Sequence, residues 1–162
     1  MFRDGRRKNQ FMSHEATEEM LARGLAGVLG VNGDDGYPYT VPVSHVYEDG
    51  KIYFHCAASG HKLDSIRNNA KVSFCVIDQN QIVPEELTTY YRSAIVFGRA
   101  RIVEDEAVKR HALELLGQKY SADYPEKAAA SIGKKLDVVT IVEIVVEHLS
   151  GKQAKELMAM SS

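Results

Sequence analysis

Tryptophan is absent from this chain of 162 residues, cysteine occurs twice and proline four times. Without tryptophan, ring stacking falls to 8 Tyr, 5 Phe and 6 His. Cys56 and Cys75 make no disulfide framework, so a reducing, cytoplasmic setting is the default expectation. No apolar run approaches the ~18–20 residues that a membrane span needs, and no membrane partner is expected. The opening MFRDGRRKNQ carries charge with no apolar stretch behind it, which is not the pattern of a signal peptide. An excess of one charge is also missing. Lys plus Arg number 20 and Asp plus Glu 22, a net charge of −2, so the basic surplus of a general nucleic-acid binder is lacking. A hydrophobic share of 44% with 26% charged residues is that of a globular protein. At roughly 150 residues per domain the length suits one domain. Residues 1–12, with Arg3, Arg6, Arg7 and Lys8 among polar neighbours, read as a mobile segment, and residues 13–162 as a single domain.

Local patterns give the elements. Ser13 is a suitable N-cap for a helix that places Ala16, Met20 and Leu21 on one face and stops at Gly24. LAGVLGVN (25–32) reads as a buried strand, and NGDDG (32–36) as a hairpin turn. YPYTVPVSHVY (37–47) alternates, with Tyr39, Val41, Val43 and His45 on one face and Thr40, Pro42 and Ser44 on the other. Pro42 cannot donate to a ladder, so this stretch is an edge, a bulge or a place where something else meets the backbone. KIYFHCA (51–57) puts Ile52, Phe54 and Cys56 opposite Tyr53 and His55. A short helix follows over 59–69, then a strand over 71–78, a loop over 79–87, and a long strand over 88–105 that bends at Gly98. Asp105 caps a helix carrying Val108, Ala112, Leu115 and Leu116, and a second helix covers 125–135. DVVTIVEIVVEHL (137–149) is a strand buried on most of both faces, and a short helix closes the chain. About six strands joined by short turns predict a mainly β protein, an antiparallel closed or split barrel with flanking helices.

Familiar chemical motifs are missing. The glycine series from Gly24 to Gly36 lacks the Gly-Lys-Ser/Thr of a phosphate loop, and a hairpin, not a helix, follows it. His45, His55, His61, Cys56 and Cys75 include no C-x-x-C, and their spacings suit no single face, so no metal site is assigned. No G-x-S-x-G is present, and both cysteines sit mid-strand. One segment stands out: FHCAASGHKLDSI (54–66). A strand ends, Gly60 frees the backbone, and His61, Lys62 and Ser65 gather where a helix opens. Free N–H groups and a cation there suit a phosphate, although a capped surface helix with a solvated lysine has the same residues. Tyr91 and Ser93 share a strand face opposite Arg92, which suits either a second set of polar contacts or an exposed strand.

The ordered set GYPYTVPVS, KIYFHCA with GHKLDSI, and KVSFCV resembles the flavin-binding core of the pyridoxamine 5′-phosphate oxidase-like split barrels. Among these it is most similar to the nitroimidazole-resistance branch, in which RRK (6–8) and EHLSGKQA (147–154) also find matches. The resemblance implies a six-stranded antiparallel split β-barrel that binds FMN, as a homodimer with the cofactor in a groove at the interface. It places the backbone of Val41, Pro42, Val43 and Ser44 against the isoalloxazine ring, and His55, Cys56 and Ala57 beside ring and ribityl chain. His61, Lys62 and Ser65 match the phosphate turn, and Tyr91 and Ser93 a strand adding phosphate and ribityl contacts. His148 and Lys152 match the neighbourhood of the flavin on the last strand. His55 matches a histidine proposed as catalytic. The implied activity is reduction of a small planar acceptor, nitroaromatic or quinone-like, with a nicotinamide electron donor. Non-catalytic flavin binding, as an electron carrier or cofactor reservoir, would use the same residues. Haem binding through His45, His55, His61 or His148 is a third reading. The substrate-gripping arginines and the C-terminal Trp-Arg-Leu-x-Pro motif of true pyridoxamine phosphate oxidases are absent, so vitamin B6 oxidation is not expected.

Overall fold

Helix α1 (His14–Arg23) begins because the Ser13 Oγ accepts the main-chain N–H of Ala16 at 3.2 Å, and ends where the Gly24 N–H closes on the Met20 carbonyl. The structure is a computed structural model that describes Phe2 and residues 5–160, the last two by backbone alone. Residues 1, 3 and 4 of the expected mobile segment, and 161 and 162 of the expected domain, lie outside the described residues. Strands β1 (Gly27–Asn32) and β2 (Pro38–Val43) form a hairpin whose turn holds Asp35 and Gly36 at positive φ. Strands β3 (Val46–Glu48) and β4 (Lys51–Cys56) form a second hairpin about a left-handed Asp49-Gly50 turn. There follow α2 (His61–Asn68), β5 (Lys71–Val83) and β6 (Thr88–Ile102). After them come α3 (Glu106–Tyr120), α4 (Pro125–Lys135), β7 (Thr140–Gln153) and α5 (Lys155–Met160). The Asp105 carboxylate caps α3 by accepting the N–H groups of Ala107 and Val108.

The strands make one antiparallel sheet in the order β2-β1-β5-β6-β7-β4-β3. There are seven strands rather than six, because residues 37–47, which read as one strand, are cut at Ser44-His45. The His45 ring turns inward and is fully buried, with Nε2 2.9 Å from the Leu21 carbonyl. Its main-chain N–H donates to the Tyr120 hydroxyl at 2.9 Å rather than to a strand. The cut has a topological result. β2 and β3 lie at opposite ends of the sheet order, yet only two residues join them. A two-residue link reaches about 11 Å at most, so the sheet curls until its edges nearly meet. The barrel is closed by chain rather than by a ladder, and the free edge of β2 lies along the split.

Two further expectations needed correction. Residues 79–87 do not form a loop. β5 continues to Val83 and pairs Gln79, Asn80 and Gln81 with Arg92, Tyr91 and Tyr90 after a register shift at Asp78. β7 starts later and runs further than 137–149, since residues 151–153 stay paired with Ala94, Ser93 and Arg92. The expected bend at Gly98 is present as a register shift against β7, and a Cβ there would lie 2.4 Å from the Val145 carbonyl oxygen.

The barrel interior holds Leu29, Ile52, Phe54, Phe74, Val96 and Ile144, sealed by Met20 and Leu21 of α1 and Leu63 and Ile66 of α2. On the outer face, α3 and α4 pack Leu113, Leu116 and Ile132 over Tyr53 and Ile141. β7 is therefore buried on both faces over Ile141–Ile144, and burial of the apolar Ile141, Val142 and Ile144 side chains contributes about 1.5–3 kcal/mol each. Part of the segment expected to be mobile is laid along β7: Met12 donates to the Gly151 carbonyl at 2.9 Å, and Phe11 bridges to Lys152.

Candidate functional site

Three elements meet beside the split: the edge strand β2, the end of β4 and the start of α2. An edge strand leaves alternate N–H and C=O groups unpaired, and Pro42 is tolerated there because it sits on that edge. The alternation read from the sequence is realised. Tyr39, Val41 and Val43 pack against the barrel core, while Thr40, Pro42 and Ser44 face outward and are exposed. From α2, the His61 ring lies on the Tyr39 ring at 4.2 Å between centroids, and His61 Nε2 is 3.6 Å from the Asp34 carboxylate. These contacts dock the start of α2 on the β1–β2 hairpin.

Gly60 precedes α2 at φ +138, a conformation that only glycine adopts without strain, and space is open where a side chain would stand. Lys62 is half-buried beside it. Burial pushes the Cys56 thiol up, with the nearby Lys62 charge opposing it, so Cys56 is a protonated thiol and no nucleophile at neutral pH. Ser65 lies on the core side of α2, 3% exposed, while Ala57 on the connecting turn is exposed.

His55 points away from the barrel interior, as its alternation with Phe54 requires. With Ser44 it lines a cavity of about 220 Å³ whose far wall comes from α3 and α4 and includes Leu116, Tyr120, Ser131 and Lys135. Burial and the Lys135 charge both lower the His55 pKa. Lys135 and Tyr120 were not singled out in the sequence. Both sit in ordinary amphipathic helices, and only packing brings them to His55.

The remaining candidates lie on the central strands. Ser93 is paired with Lys152 in the β6–β7 ladder, and the Tyr91 hydroxyl donates to the Gln10 amide oxygen at 3.2 Å. The His148 ring stacks on Phe2 at 4.8 Å and lines a separate groove of about 530 Å³. Val41–Ser44, His55–Ala57 and His61–Ser65 thus gather at one place, and Tyr91, Ser93, His148 and Lys152 at another face of the chain. His45 is fully buried, with Nε2 2.9 Å from the Leu21 carbonyl. Among the described residues no cluster of three His, Cys, Asp or Glu side chains suits a metal, and no helix is long and apolar enough to cross a membrane.

Comparison with known proteins supplies a lineage. The family model described as pyridoxamine 5′-phosphate oxidase matches residues 13–153. Among solved structures, a conserved hypothetical protein, Rv2991, from Mycobacterium tuberculosis superposes with a TM-score of 0.81 at 20% identity, covering 96% of this chain and 93% of its own. A candidate 5-nitroimidazole antibiotic resistance protein from Bacteroides thetaiotaomicron VPI-5482 gives 0.72 at 24% identity, covering 88% and 86%. A FAD and haem binding protein from Mycobacterium smegmatis gives 0.71 at 19% identity, covering 93% and 78%. No curated protein matches the sequence.

Proposed function

The chain belongs to the pyridoxamine 5′-phosphate oxidase family, and from that membership we propose that it binds FMN and acts as an oxidoreductase on a small planar acceptor. The observation that carries this reading is the meeting of the free β2 edge, the end of β4 and the Gly60 turn into α2 at one side of the split. The donor set fits a flavin mononucleotide. Lys62 and the first N–H groups of α2 would hold the phosphate, next to the space left open where a Gly60 side chain would stand. The unpaired main-chain groups of the β2 edge would be available to the ring, and Pro42 costs no ladder bond on that free side. When bound, FMN would supply the redox chemistry between a nicotinamide donor and the acceptor. The binding of FAD by the Mycobacterium smegmatis protein supports a flavin, and the Bacteroides protein supports a nitroaromatic acceptor. A second copy of the chain completes the groove, bringing the Tyr91, Ser93, His148 and Lys152 face toward the cofactor.

His55 delivers a proton to the acceptor. Burial and the Lys135 charge lower its pKa, so the imidazolium is a stronger acid but a scarcer one at neutral pH, and its contribution grows as the solution becomes more acidic. Steady-state turnover with a nicotinamide donor and a panel of nitroaromatics and quinones tests this. His55→Gln should keep FMN binding, lower kcat about 100-fold at pH 6, and flatten the pH profile. Full turnover by His55→Gln with flavin bound contradicts the role.

A further inference from the structure

A second charged cleft lies on the side of the molecule where the N-terminal segment meets β6 and α5. Its volume is about 700 Å³, and its lining includes Arg6, Arg7, Lys8, Lys155, Thr88 and Thr89. Among the described residues Glu156 is the one carboxylate of the lining, and it lies 3.7 Å from the Lys155 ammonium. Four cations thus converge on one cleft in a chain of net charge −2.

The walls are built rather than incidental. Lys8–Gln10 forms a short 3₁₀ turn closed by Gln10 donating to the Arg7 carbonyl at 3.1 Å. Gln10 is 8% exposed and accepts from the Tyr91 hydroxyl, which fastens that wall to β6. The opposite wall is fixed where Ala154 donates to the Tyr91 carbonyl at 2.9 Å. Planar guanidinium forks match phosphate oxygens in pairs, and threonine hydroxyls add neutral donors. A single small oxyanion is far too small for a cleft of this size, whereas a nucleotide-sized ligand fits it.

We propose that this cleft binds the diphosphate of a small phosphorylated ligand of nucleoside diphosphate size. The site lies apart from the Gly60–Lys62 turn of the same chain, but Tyr91 lines it too, so the test includes FMN to separate this cleft from the flavin groove that a second copy would complete. Calorimetric titration of the full chain with ADP, pyrophosphate and adenosine tests it. Saturable binding of ADP and pyrophosphate at one per chain is expected, weakening as salt rises, with none for adenosine. The double variant Arg6→Gln/Arg7→Gln should bind ADP at least tenfold more weakly with an unchanged circular dichroism spectrum, since both side chains are exposed. Saturating FMN should leave ADP binding intact. The proposal is overturned if ADP does not bind, if the double variant binds it as tightly, or if FMN displaces it, the last meaning that the cleft belongs to the flavin site.

Discussion

His45 shows how one residue can cut a strand and carry a pH dependence. The side chain is fully buried, edge-on to Phe74 at 4.9 Å, and Nδ1 has no partner. Burial pushes its pKa down to about 4, with the Leu21 carbonyl opposing and the Lys119 charge adding to the fall. The folded state therefore binds this proton less readily than the unfolded chain, whose histidine titrates near 6.5. Stability from His45 is fully present above about 6.5 and is lost as pH falls toward 4, by on the order of 3 kcal/mol. His45→Gln keeps a donor for Leu21 and cannot titrate. Urea unfolding between pH 7 and 4 should show a shallower fall for the variant than for the wild type. Parallel curves would mean that His45 is not the titrating group.

At the scale of elements, α3 acts as a strap across the place where β2 becomes β3. Lys119 donates to the carbonyls of Gly24 and His45 at 2.5 and 2.9 Å, and burial lowers its pKa to about 8. The Tyr120 hydroxyl accepts the His45 N–H and lies 2.6 Å from the Leu25 carbonyl. Tyr120→Phe leaves that N–H without its partner and should cost about 1–3 kcal/mol, read as a lower urea midpoint at unchanged slope. None of this strap was visible in the sequence, where Tyr120 is only the end of an amphipathic helix. The helices themselves were legible, because Ser13 and Asp105 are caps whose effect is local. So was the β2 alternation, because a period of two needs no partner to be recognised. The hairpin arm at 79–87 was not legible: Gln79, Asn80 and Gln81 are poor strand formers held by cross-strand pairing with Tyr90, Tyr91 and Arg92. The same holds for the site. The glycine turn at Gly60 and the cation beside it are written in consecutive residues, whereas Lys135 reaches His55 only through the packing of α4.

At the scale of the whole molecule, the β5–β6 arm carries Ile77, Ile82 and Leu87 at 63%, 71% and 96% exposure. Apolar side chains left in water on one hairpin are what a partner subunit would cover. A chain of 18.0 kDa should therefore run at twice that mass in light scattering, and Ile82→Asp should shift it toward the monomer mass. The flavin site makes the most direct demand of all. Titration of the purified chain with FMN, followed by the quenching of flavin fluorescence and the absorption spectrum, should saturate at one FMN per chain. Lys62→Glu should abolish that binding while the protein stays folded. Absence of any saturable FMN binding by the wild-type chain would contradict the account at its centre.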